Sequence, residues 1–333
     1  MRDKEREIML DVVRVTEAAA LMAGRVMGNG NKELVDALAV DAMRGMLELM
    51  DIRGEVIIGE GEKDQAPMLY IGEKVGREDC DFEADIAVDP IEGTTLVAKG
   101  LPNALSVMVL AAKGALKPVP SYYMEKIIAG PGVGEYLDIE APVRENLRVA
   151  AAALGKNVRD LTVVILDRPR HQQLIKEARE TGARIKLISD GDVAAGIATC
   201  LPDTGVDILM GIGGSPEGVL AAVAVKCLGG TILARIAPKD EEEKRRLIEK
   251  IGEKKLRRVY TTEDLAGGDS LIFAATGVTD GDLLRGVRYY GNYATTSSIV
   301  MRMQTGTVRR IETTHNLNRK TIRSKQQAAE IPV

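Results

Sequence analysis

The first fifty residues carry apolar side chains at every third or fourth position, which is the spacing of an amphipathic helix. This spacing predicts one helix over residues 5–27, ended by Gly28-Asn29-Gly30, and a second helix from about Glu33 to Met50. The apolar stripe of the second helix includes Val40, and Asp36 lies one turn before it on the same side. A carboxylate on the buried side of a helix start needs a partner, and the spacing alone favours a local cap or salt bridge for Asp36.

Short apolar runs predict two sheets. In the first half of the chain they are separated by loops rich in glycine and acid, and they indicate helices packed on a sheet. From Leu161 onward strands and helices alternate regularly, which is typical of a parallel sheet with right-handed crossovers. The pattern therefore predicts an α/β protein whose second sheet is mainly parallel. The predicted strands are Val56–Ile58, Asp85–Val88 and Leu105–Leu110 in the first half, and Thr162–Leu166, Ile185–Ile188, Val206–Met210 and Thr231–Ala234 in the second.

The change of rhythm places a domain boundary near residue 150, in a polar stretch. We predict one domain over residues 1–150, a second over residues 151–317, and a flexible polar tail over residues 318–333. Residues 239–258 mix Lys and Glu at helical spacing and predict a solvent-exposed helix without chemistry of its own.

The composition narrows the classes of partner. The chain has 333 residues, of which 45% are apolar, and this is enough for roughly two domains with large cores. Its 45 basic and 49 acidic residues give a net charge of -4, and 8 Tyr and 2 Phe are the only aromatic side chains for stacking. This combination argues against nucleic-acid binding and favours small-molecule partners.

The sequence predicts a cytoplasmic protein. Its charged N-terminus lacks the apolar core and cleavage site of a signal peptide, and no apolar run approaches the roughly 20 residues of a membrane span. Cys80, Cys200 and Cys227 are odd in number and far apart, so we expect reduced thiols rather than disulfides or a zinc site.

The most informative chemistry lies in the run Asp89-Pro90-Ile91-Glu92-Gly93-Thr94, which follows a predicted strand. The run combines two carboxylates, a hydroxyl and a glycine turn. A hard divalent cation requires oxygen ligands, and a phosphate requires exposed backbone N–H groups close to the reacting centre. The run therefore indicates metal-dependent phosphate chemistry.

Comparable residues follow the other predicted strands. Ligands of α/β sheets bind at the carboxyl ends of strands, so these loops are candidates for one site. Ordinary turn chemistry explains any single loop, but it does not explain five in succession. The loops are Gly59-Glu60-Gly61-Glu62-Lys63-Asp64, Asp89 to Thr94, Asp167-Arg168-Pro169-Arg170-His171, Asp190-Gly191-Asp192 and Gly213-Gly214-Ser215-Pro216-Glu217-Gly218.

The carboxylates of these loops would repel one another if they met, so they would require cations. Oxygen ligands without His or Cys select Mg²⁺ or Mn²⁺ over Zn²⁺. Two such ions could polarise phosphoryl oxygens and lower the pKa of an attacking water. Thr94 could orient this water, with a simple helix N-cap as the alternative for Thr94, and Asp64 is the nearest motif candidate to accept the proton. The carboxylates concerned are Glu60, Asp89, Glu92 and Glu217.

Basic residues near these loops are candidates for binding a second anionic group. Guanidinium forks match phosphate geometry, so Arg168 and Arg170 together with Lys32 could hold such a group, although each alone is more typical of a surface charge. His171 and His315 lie in no metal-binding spacing, and we predict hydrogen-bonding or packing roles for both. The chain has no Walker loop, no dinucleotide fingerprint after a strand and no Gly-x-Ser-x-Gly elbow.

Taken together, these motifs resemble class II fructose-1,6-bisphosphatase. The resemblance extends from about Arg14 to His315, whereas the Asp89 to Thr94 run alone would indicate only the wider lithium-sensitive sugar and inositol phosphatase superfamily. It implies a layered α/β/α/β/α sugar-phosphatase fold with a mixed first sheet. It also implies Mg²⁺- or Mn²⁺-dependent release of the 1-phosphate from fructose 1,6-bisphosphate, a reaction of gluconeogenesis. The blocks that carry it are Ile58 to Glu62 with Asp64, Ala66 to Glu73, Asp85 to Thr94, Tyr123 to Lys126, Asp190 to Asp192 and Gly211 to Gly218.

The resemblance implies residue roles as well. Asp64 and Thr94 fall on the positions of the water-activating pair, and the interpretation of Asp36 is reversed because it falls on a metal-ligand position. The first predicted domain would then carry the metal and phosphate site and the second the sugar site. The metal-ligand positions are Asp36, Glu60, Asp89, Glu92 and Glu217. The substrate-contacting positions are Lys32, Glu92, Gly93, Thr94, Tyr123, Arg168, Pro169, Arg170, Asp190, Gly191, Asp192 and Gly214.

Several alternatives stay open for the activity. Similar proteins also hydrolyse sedoheptulose 1,7-bisphosphate in the Calvin cycle, and a loop pattern cannot separate two sugars that each carry two phosphates. The bisphosphatase-specific blocks disfavour the inositol monophosphatase branch. A non-catalytic, metal-dependent sugar-phosphate sensor would not need the intact Asp64 and Thr94 pair. We predict direct attack by metal-activated water, because the motif offers no Cys, Ser or His nucleophile. The resemblance also implies a homo-oligomer, a dimer or a tetramer.

Overall fold

The computed structural model describes residues 4–61 and 68–323 and the backbone of residues 330–332. Its helices are α1 Lys4–Gly24, α2 Lys32–Leu47, α3 Thr94–Lys99, α4 Val143–Ala153, α5 Gln172–Glu180, α6 Asp192–Ala198, α7 Ser215–Cys227, α8 Glu241–Ile251, α9 Glu253–Leu256 and α10 Thr262–Leu265. Its strands are β1 Arg53–Ile58, β2 Lys74–Gly76, β3 Glu83–Glu92, β4 Leu105–Ala112, β5 Tyr123–Ala129, β6 Thr162–Leu166, β7 Arg184–Ile188, β8 Ile208–Gly214, β9 Thr231–Ile236, β10 Leu271–Gly277, β11 Arg288–Tyr290, β12 Tyr293–Arg302, β13 Thr307–Asn316, β14 Thr321–Arg323 and β15 Glu330–Pro332.

The chain divides into two compact units, and one of them is discontinuous. The first unit comprises Met1–Leu116 and Gly268–Val333, and the second comprises Lys117–Gly267. These limits differ from the boundary that we predicted near residue 150. The reason is strand pairing: β5 pairs with β8 and β9 in the second unit, and β10 returns the chain to the first unit by pairing with β4.

The sheet of the first unit is mixed, as the resemblance implied. Its strand order is β11-β12-β10-β4-β3-β1-β2, and β13 pairs with β12. Strands β1 and β3 are parallel, while β4 is antiparallel to both β3 and β10. Helix α1 packs on β3, β4, β10 and β12. The arrangement places the carboxyl ends of β1 and β3 at one edge of the sheet.

The two predicted N-terminal helices are confirmed as α1 and α2. Their apolar stripes face the core, where Val12 and Met43 have no exposed surface. Asn31 caps α2, because its side-chain oxygen accepts a hydrogen bond from the Leu34 amide at 3.0 Å. No helix in the described part of the chain is both long and apolar enough to cross a membrane.

The sheet of the second unit has four strands in one direction, as predicted for a mainly parallel sheet, and one antiparallel strand that makes it mixed. Its order is β7-β6-β8-β5-β9, in which β6 is parallel to β7 and β8. Strand β5 is antiparallel to both β8 and β9, so the four strands that we predicted share one direction and β5 lies among them. We did not predict β5 because the regular alternation of strands and helices begins only at Leu161, and β5 comes from the segment before residue 150.

The predicted C-terminal tail is partly ordered on the first unit. Strand β14 pairs with β15, and Ile322 is 1% exposed. Ile322 packs in a cluster with Ala18 and Leu21 of α1 and with Ala42 of α2. Burial of this side chain therefore ties residues 321–323 to both N-terminal helices.

Candidate functional site

The parallel pair of β1 and β3 brings two predicted metal ligands to the same edge of the first sheet. Ile58 of β1 pairs with Ala87 of β3, and Glu60 and Asp89 each lie two residues beyond this pair. Both side chains are partly exposed. The register therefore brings Glu60 and Asp89 to the ends of two neighbouring strands.

The run from Asp89 to Thr94 forms the end of β3 rather than a loop after it. Strand β3 continues to Glu92, and its register with β4 shifts between Asp89 and Glu92. The Glu92 side chain is buried. Gly93 follows with φ 86°, in the left-handed region that glycine adopts without strain, and it is the N-cap of α3.

Thr94 is the first residue of α3 and not its cap. Its hydroxyl donates a hydrogen bond to the carbonyl of Ile91 at 3.2 Å, and no side chain caps the helix. The alternative of a simple N-cap threonine is therefore wrong. Because the hydroxyl proton is directed to Ile91, the lone pairs of the Thr94 oxygen are available to accept a hydrogen bond from water.

Asp36 is half-buried on α2, which packs against α3. It neither caps α2 nor forms a hydrogen bond or ion pair with a residue that the structure describes, so the local partner suggested by its spacing is wrong. Burial raises the pKa of Asp36 above its ordinary value, and a bound cation would offset this cost of charge. Lys32, the first residue of α2, is exposed.

A buried ion pair supports the backbone of Glu60. Nε of Arg44 lies 2.6 Å from one carboxylate oxygen of Glu73, and the other oxygen accepts a hydrogen bond from the amide of Leu69. Leu69 has φ 55°, and its carbonyl accepts the hydrogen bond of the Glu60 amide at 3.0 Å. No pattern in the sequence predicts this support. Asp64, the predicted proton acceptor, lies outside the described residues.

In the second unit, the loop after β6 holds two arginines in different settings. Arg170 donates two hydrogen bonds to the carbonyl of Ile212, at 3.2 Å and 2.8 Å, and its guanidinium lies 4.9 Å from the ring centroid of Tyr123. Arg168 lies 3.4 Å from a carboxylate oxygen of Asp190. Pro169 between them begins the 3₁₀ turn Pro169–His171. Three predicted substrate contacts, Tyr123, Arg168 and Arg170, are thus fixed by neighbours within this unit.

His171 is buried and makes two hydrogen bonds, which confirms its predicted role. Nδ1 lies 2.7 Å from the carbonyl of Leu166, and Nε2 accepts a hydrogen bond from the amide of Ile212 at 2.7 Å. Burial lowers the pKa of His171, and the neighbouring Arg170 contributes in the same direction. His315 also has a hydrogen-bonding role, since its Nε2 lies 2.9 Å from the hydroxyl of Thr296.

Lys126 is a buried cation that we did not predict as a site residue. Its side chain is fully buried, and its Nζ lies 2.6 Å from Oδ2 of Asp192. The same Nζ donates a hydrogen bond to the carbonyl of Gly214 at 3.1 Å. Gly191 precedes Asp192 with φ 74°, so the chain turns sharply into α6. The sequence feature that could have predicted this buried cation is a lysine followed directly by the apolar run Ile127-Ile128-Ala129.

Glu217 lies in the first turn of α7, beside Gly214. Its Oε2 is buried and has no hydrogen-bond partner among the described residues. Burial raises the pKa of Glu217, and the negative charge of Asp192 adds to this effect while Lys126 opposes it. A side chain at position 214 would overlap Oε2 of Glu217, so the close approach requires glycine.

Residues 6–315 match the family model described as "Bacterial fructose-1,6-bisphosphatase, glpX-encoded". This chain belongs to that family. It is 47% identical over 330 residues to "Fructose-1,6-bisphosphatase 1 class 2" of Escherichia coli (strain K12), with 95% of this chain and 97% of the relative covered. The same identity and coverage relate it to "Fructose-1,6-bisphosphatase class 2" of Escherichia coli O6:H1 and of Shigella flexneri. The predicted membership of class II is confirmed.

The chemistry of the ligands predicted for this fructose-1,6-bisphosphatase family member suits a hard cation. The predicted ligands are all carboxylates, two of them have raised pKa values, and Oε2 of Glu217 is buried without a hydrogen bond from any described residue. The described residues contain no group of three or more His, Cys, Asp or Glu side chains placed to hold one metal ion. The ligand set therefore stays a prediction.

A cavity of about 630 Å³ lies at the opposite edge of the first sheet of this bisphosphatase family member, where β1 and β3 begin. It is lined by basic and acidic side chains together, and Arg53 and Lys113 both pair with Glu83. Because these cations already have carboxylate partners, we assign the cavity no ligand.

Burial also raises the thiol pKa values of two cysteines. It raises the pKa of Cys200 to about 11 and that of Cys227 to about 12. Both thiols are therefore protonated at neutral pH and are poor nucleophiles.

Proposed function

We propose that this chain hydrolyses the 1-phosphate of fructose 1,6-bisphosphate to give fructose 6-phosphate and phosphate, with Mg²⁺ or Mn²⁺ bound. The observation that carries the proposal is the similarity, across 95% of the chain, to relatives named class 2 fructose-1,6-bisphosphatases. The side-chain arrangement within each unit supports it.

The residues of the second unit suit the sugar and the phosphate that does not react. Arg170 is already oriented by the Ile212 carbonyl and the Tyr123 ring, so little conformational entropy is lost when it binds an anion. Arg168 is half-exposed and would pair with the same phosphate. Asp190 and Asp192 would accept hydrogen bonds from sugar hydroxyls.

The residues of the first unit suit the phosphate that is cleaved. Thr94 would accept a hydrogen bond from the attacking water, because its own proton is directed to the Ile91 carbonyl. Asp64 would take the proton of this water, and Gly93 and Lys32 would contact the phosphate. Bound metal ions would supply Lewis-acid stabilisation of the phosphoryl oxygens. The proposed metal ligands are Asp36, Glu60, Asp89, Glu92 and Glu217.

We propose direct attack by water, without a phosphoenzyme. Asp89 is committed to metal in this proposal, and the run offers no other nucleophile than Thr94, whose hydroxyl donates to the Ile91 carbonyl and to no base among the described residues. Hydrolysis of a substrate with a chiral phosphorus would invert the configuration. Retention would show two displacements and would contradict this mechanism.

The test is phosphate release from fructose 1,6-bisphosphate with Mg²⁺, with Mn²⁺ and with EDTA. Sedoheptulose 1,7-bisphosphate and inositol 1-phosphate are measured in parallel, because they distinguish a bifunctional enzyme and an inositol phosphatase from the proposed one. We expect metal-dependent release from the fructose ester and none with EDTA. Absence of release from every ester with either metal would refute the proposed function.

A Thr94→Ala variant separates an enzyme from a sensor. An enzyme should lose turnover and keep its affinity for fructose 6-phosphate, whereas a sensor has no turnover to lose and should keep its response to the ligand. Thr94→Ser is the matched control, because it keeps the hydroxyl and should keep most of the turnover. Homo-oligomerisation and a cytoplasmic location stay predictions, and gel filtration with light scattering tests the first.

A further inference from the structure

The most deeply buried cation of the second unit contacts two of the proposed substrate residues. Lys126 lies on β5 with its side chain fully buried. Its Nζ is 2.6 Å from Oδ2 of Asp192 and 3.1 Å from the carbonyl of Gly214. One ammonium group therefore holds the start of α6 and the end of β8 together.

Placing an ammonium group here is costly without these contacts. A buried charge is stable only when it is paired and hydrogen-bonded, and replacing a buried ion pair by well-packed apolar side chains of similar volume is often neutral or stabilising. Since β5 continues as Ile127-Ile128-Ala129, an apolar side chain at position 126 would suit a structural role. The charge at this position points to a task other than stability.

Glycine at position 213 leaves room for the ion pair of Lys126 with Asp192. A Cβ atom at Gly213 would overlap Oδ2 of Asp192 and would lie 2.9 Å from Nζ of Lys126. Glycine at this position therefore lets both charged groups approach the strand. The pair and the glycine form a single arrangement.

The ion pair uses only one oxygen of Asp192. Oδ1 of the same carboxylate is buried and has no hydrogen-bond partner among the described residues. A buried acceptor without a donor costs free energy, which a bound donor recovers. Because Lys126 holds Oδ2, the direction of Oδ1 is defined before any ligand arrives.

We propose that Lys126 is a positioning residue for the sugar, which acts by holding Asp192 so that Oδ1 accepts a hydrogen bond from a substrate hydroxyl. This inference rests on the proposed function, and it adds to it a residue that does not itself touch the substrate. The preorganised acceptor lowers the cost of binding rather than the barrier of the chemical step.

The experiment compares Lys126→Met with Lys226→Met in the full chain. Lys226 is the matched control, because it is also a buried lysine of this unit and is paired with Glu263 at 2.7 Å. We measure kcat and KM for fructose 1,6-bisphosphate, the Kd of fructose 6-phosphate by calorimetry, and the thermal midpoint. We expect Lys126→Met to raise KM and Kd about 10- to 100-fold, the range typical of supporting residues. Lys226→Met should lower only the midpoint.

Asp192→Asn and the double variant Lys126→Met with Asp192→Asn complete a cycle. If Lys126 acts through Asp192, the double variant should bind fructose 6-phosphate no more weakly than Asp192→Asn does. Effects that multiply instead would overturn the proposal, and so would a folded Lys126→Met with wild-type KM and Kd. If Lys126→Met does not fold, the Kd values of Asp192→Asn and of the double variant, in which both positions are neutral, are compared instead. Equal values would support the proposal, and weaker binding by the double variant would overturn it.

The failure of this inference differs from the failure of the proposed function. Wild-type protein that does not hydrolyse fructose 1,6-bisphosphate would refute the proposed function, while the calorimetric Kd values would still decide the role of Lys126. Wild-type protein that neither hydrolyses the bisphosphate nor binds fructose 6-phosphate would overturn both.

Discussion

The amide of Ile212 donates a 2.7 Å hydrogen bond to Nε2 of His171. Nε2 is therefore the unprotonated nitrogen, and Nδ1 carries the proton that it donates to the carbonyl of Leu166. The neutral imidazole thus connects the end of β6 to β8. Because the carbonyl of Ile212 accepts a hydrogen bond from Arg170, this connection also fixes the position of Arg170, which we propose to bind a phosphate group of the substrate.

Replacing His171 should loosen both the fold and the site. In His171→Phe the amide of Ile212 loses its partner, whereas the Leu166 carbonyl keeps a hydrogen bond from the amide of Arg168. We expect the free energy of unfolding to fall by about 1–3 kcal/mol, the cost of one unpaired buried group. KM for fructose 1,6-bisphosphate should rise as Arg170 moves. Urea denaturation and steady-state kinetics measure the two effects. An unchanged KM would show that His171 does not fix the position of Arg170.

Stability should decrease on acidification because both histidines are buried. Burial lowers the pKa of His171 and of His315 below the ordinary value of about 6.5. The unfolded chain therefore binds more protons than the folded chain below that pH. The contribution of each histidine is fully present above pH about 6.5 and is lost as pH falls through the lower folded pKa. Urea denaturation between pH 5 and 8 gives the free energy of unfolding at each pH. This free energy should depend less steeply on pH for His171→Phe than for the wild type.

The stacked pair of Arg170 and Tyr123 predicts that lysine cannot replace arginine. Arg170→Lys would lose the paired hydrogen bonds to Ile212 and the planar contact with the ring. We expect KM to rise about tenfold, with a much smaller change in kcat. Arg258→Lys is the control, since Arg258 lies 5.2 Å from the ring of Tyr260 in the same unit. Equal effects of the two substitutions on KM would contradict the proposed phosphate contact.

Gly213 should be irreplaceable for a steric reason. In Gly213→Ala the new methyl group overlaps Oδ2 of Asp192 and must displace the ion pair with Lys126. We expect a lower thermal midpoint together with weaker binding of fructose 6-phosphate. Gly182→Ala tests the general effect of the substitution, because Gly182 has φ 84° and a Cβ atom added there would meet no other atom within 4 Å. The control should lose about 1 kcal/mol of stability without a change in binding.

Glu73 should support catalysis from a distance through the backbone of Glu60. Glu73→Gln removes one of the two carboxylates that pair with buried Arg44, which keeps its pair with Glu48 at 3.0 Å, and we expect a loss of about 1–3 kcal/mol of stability. The Leu69 segment that holds the Glu60 amide should loosen, and the concentration of Mn²⁺ needed for half-maximal activity should rise. Glu55→Gln is the comparison, because the Glu55 pair with Lys74 is exposed and should contribute less than about 1 kcal/mol. Unchanged Mn²⁺ dependence in Glu73→Gln would refute the link to Glu60.

Local sequence patterns were sufficient where local forces decide structure. Helix α1 and strand β6 match their predicted positions closely, because side-chain periodicity and turn residues act within a few positions of the chain. The predicted strands Val56–Ile58 and Asp85–Val88 likewise lie within β1 and β3. The family was also predictable, since its motifs are contiguous runs of residues.

Contacts between distant segments were not predictable in this way. The antiparallel strand β5 and the return of β10 to the first sheet depend on which partner offers the best pairing, and periodicity carries no information about the partner. The same limit applies to individual side chains. The sequence left a capping role for Thr94 open, and only the bond to Ile91 excludes it.

The sequence by itself determined the fold class, the family and the chemical character of the candidate site, because each depends on residue types at short spacing. Tertiary structure alone decided the limits of the two units, the ion pair of Lys126 with Asp192, and the support of Glu60 by Glu73. The first two join residues far apart in the chain, and the third depends on the buried pairing of Glu73 with Arg44. Such contacts exist only once the strands have paired.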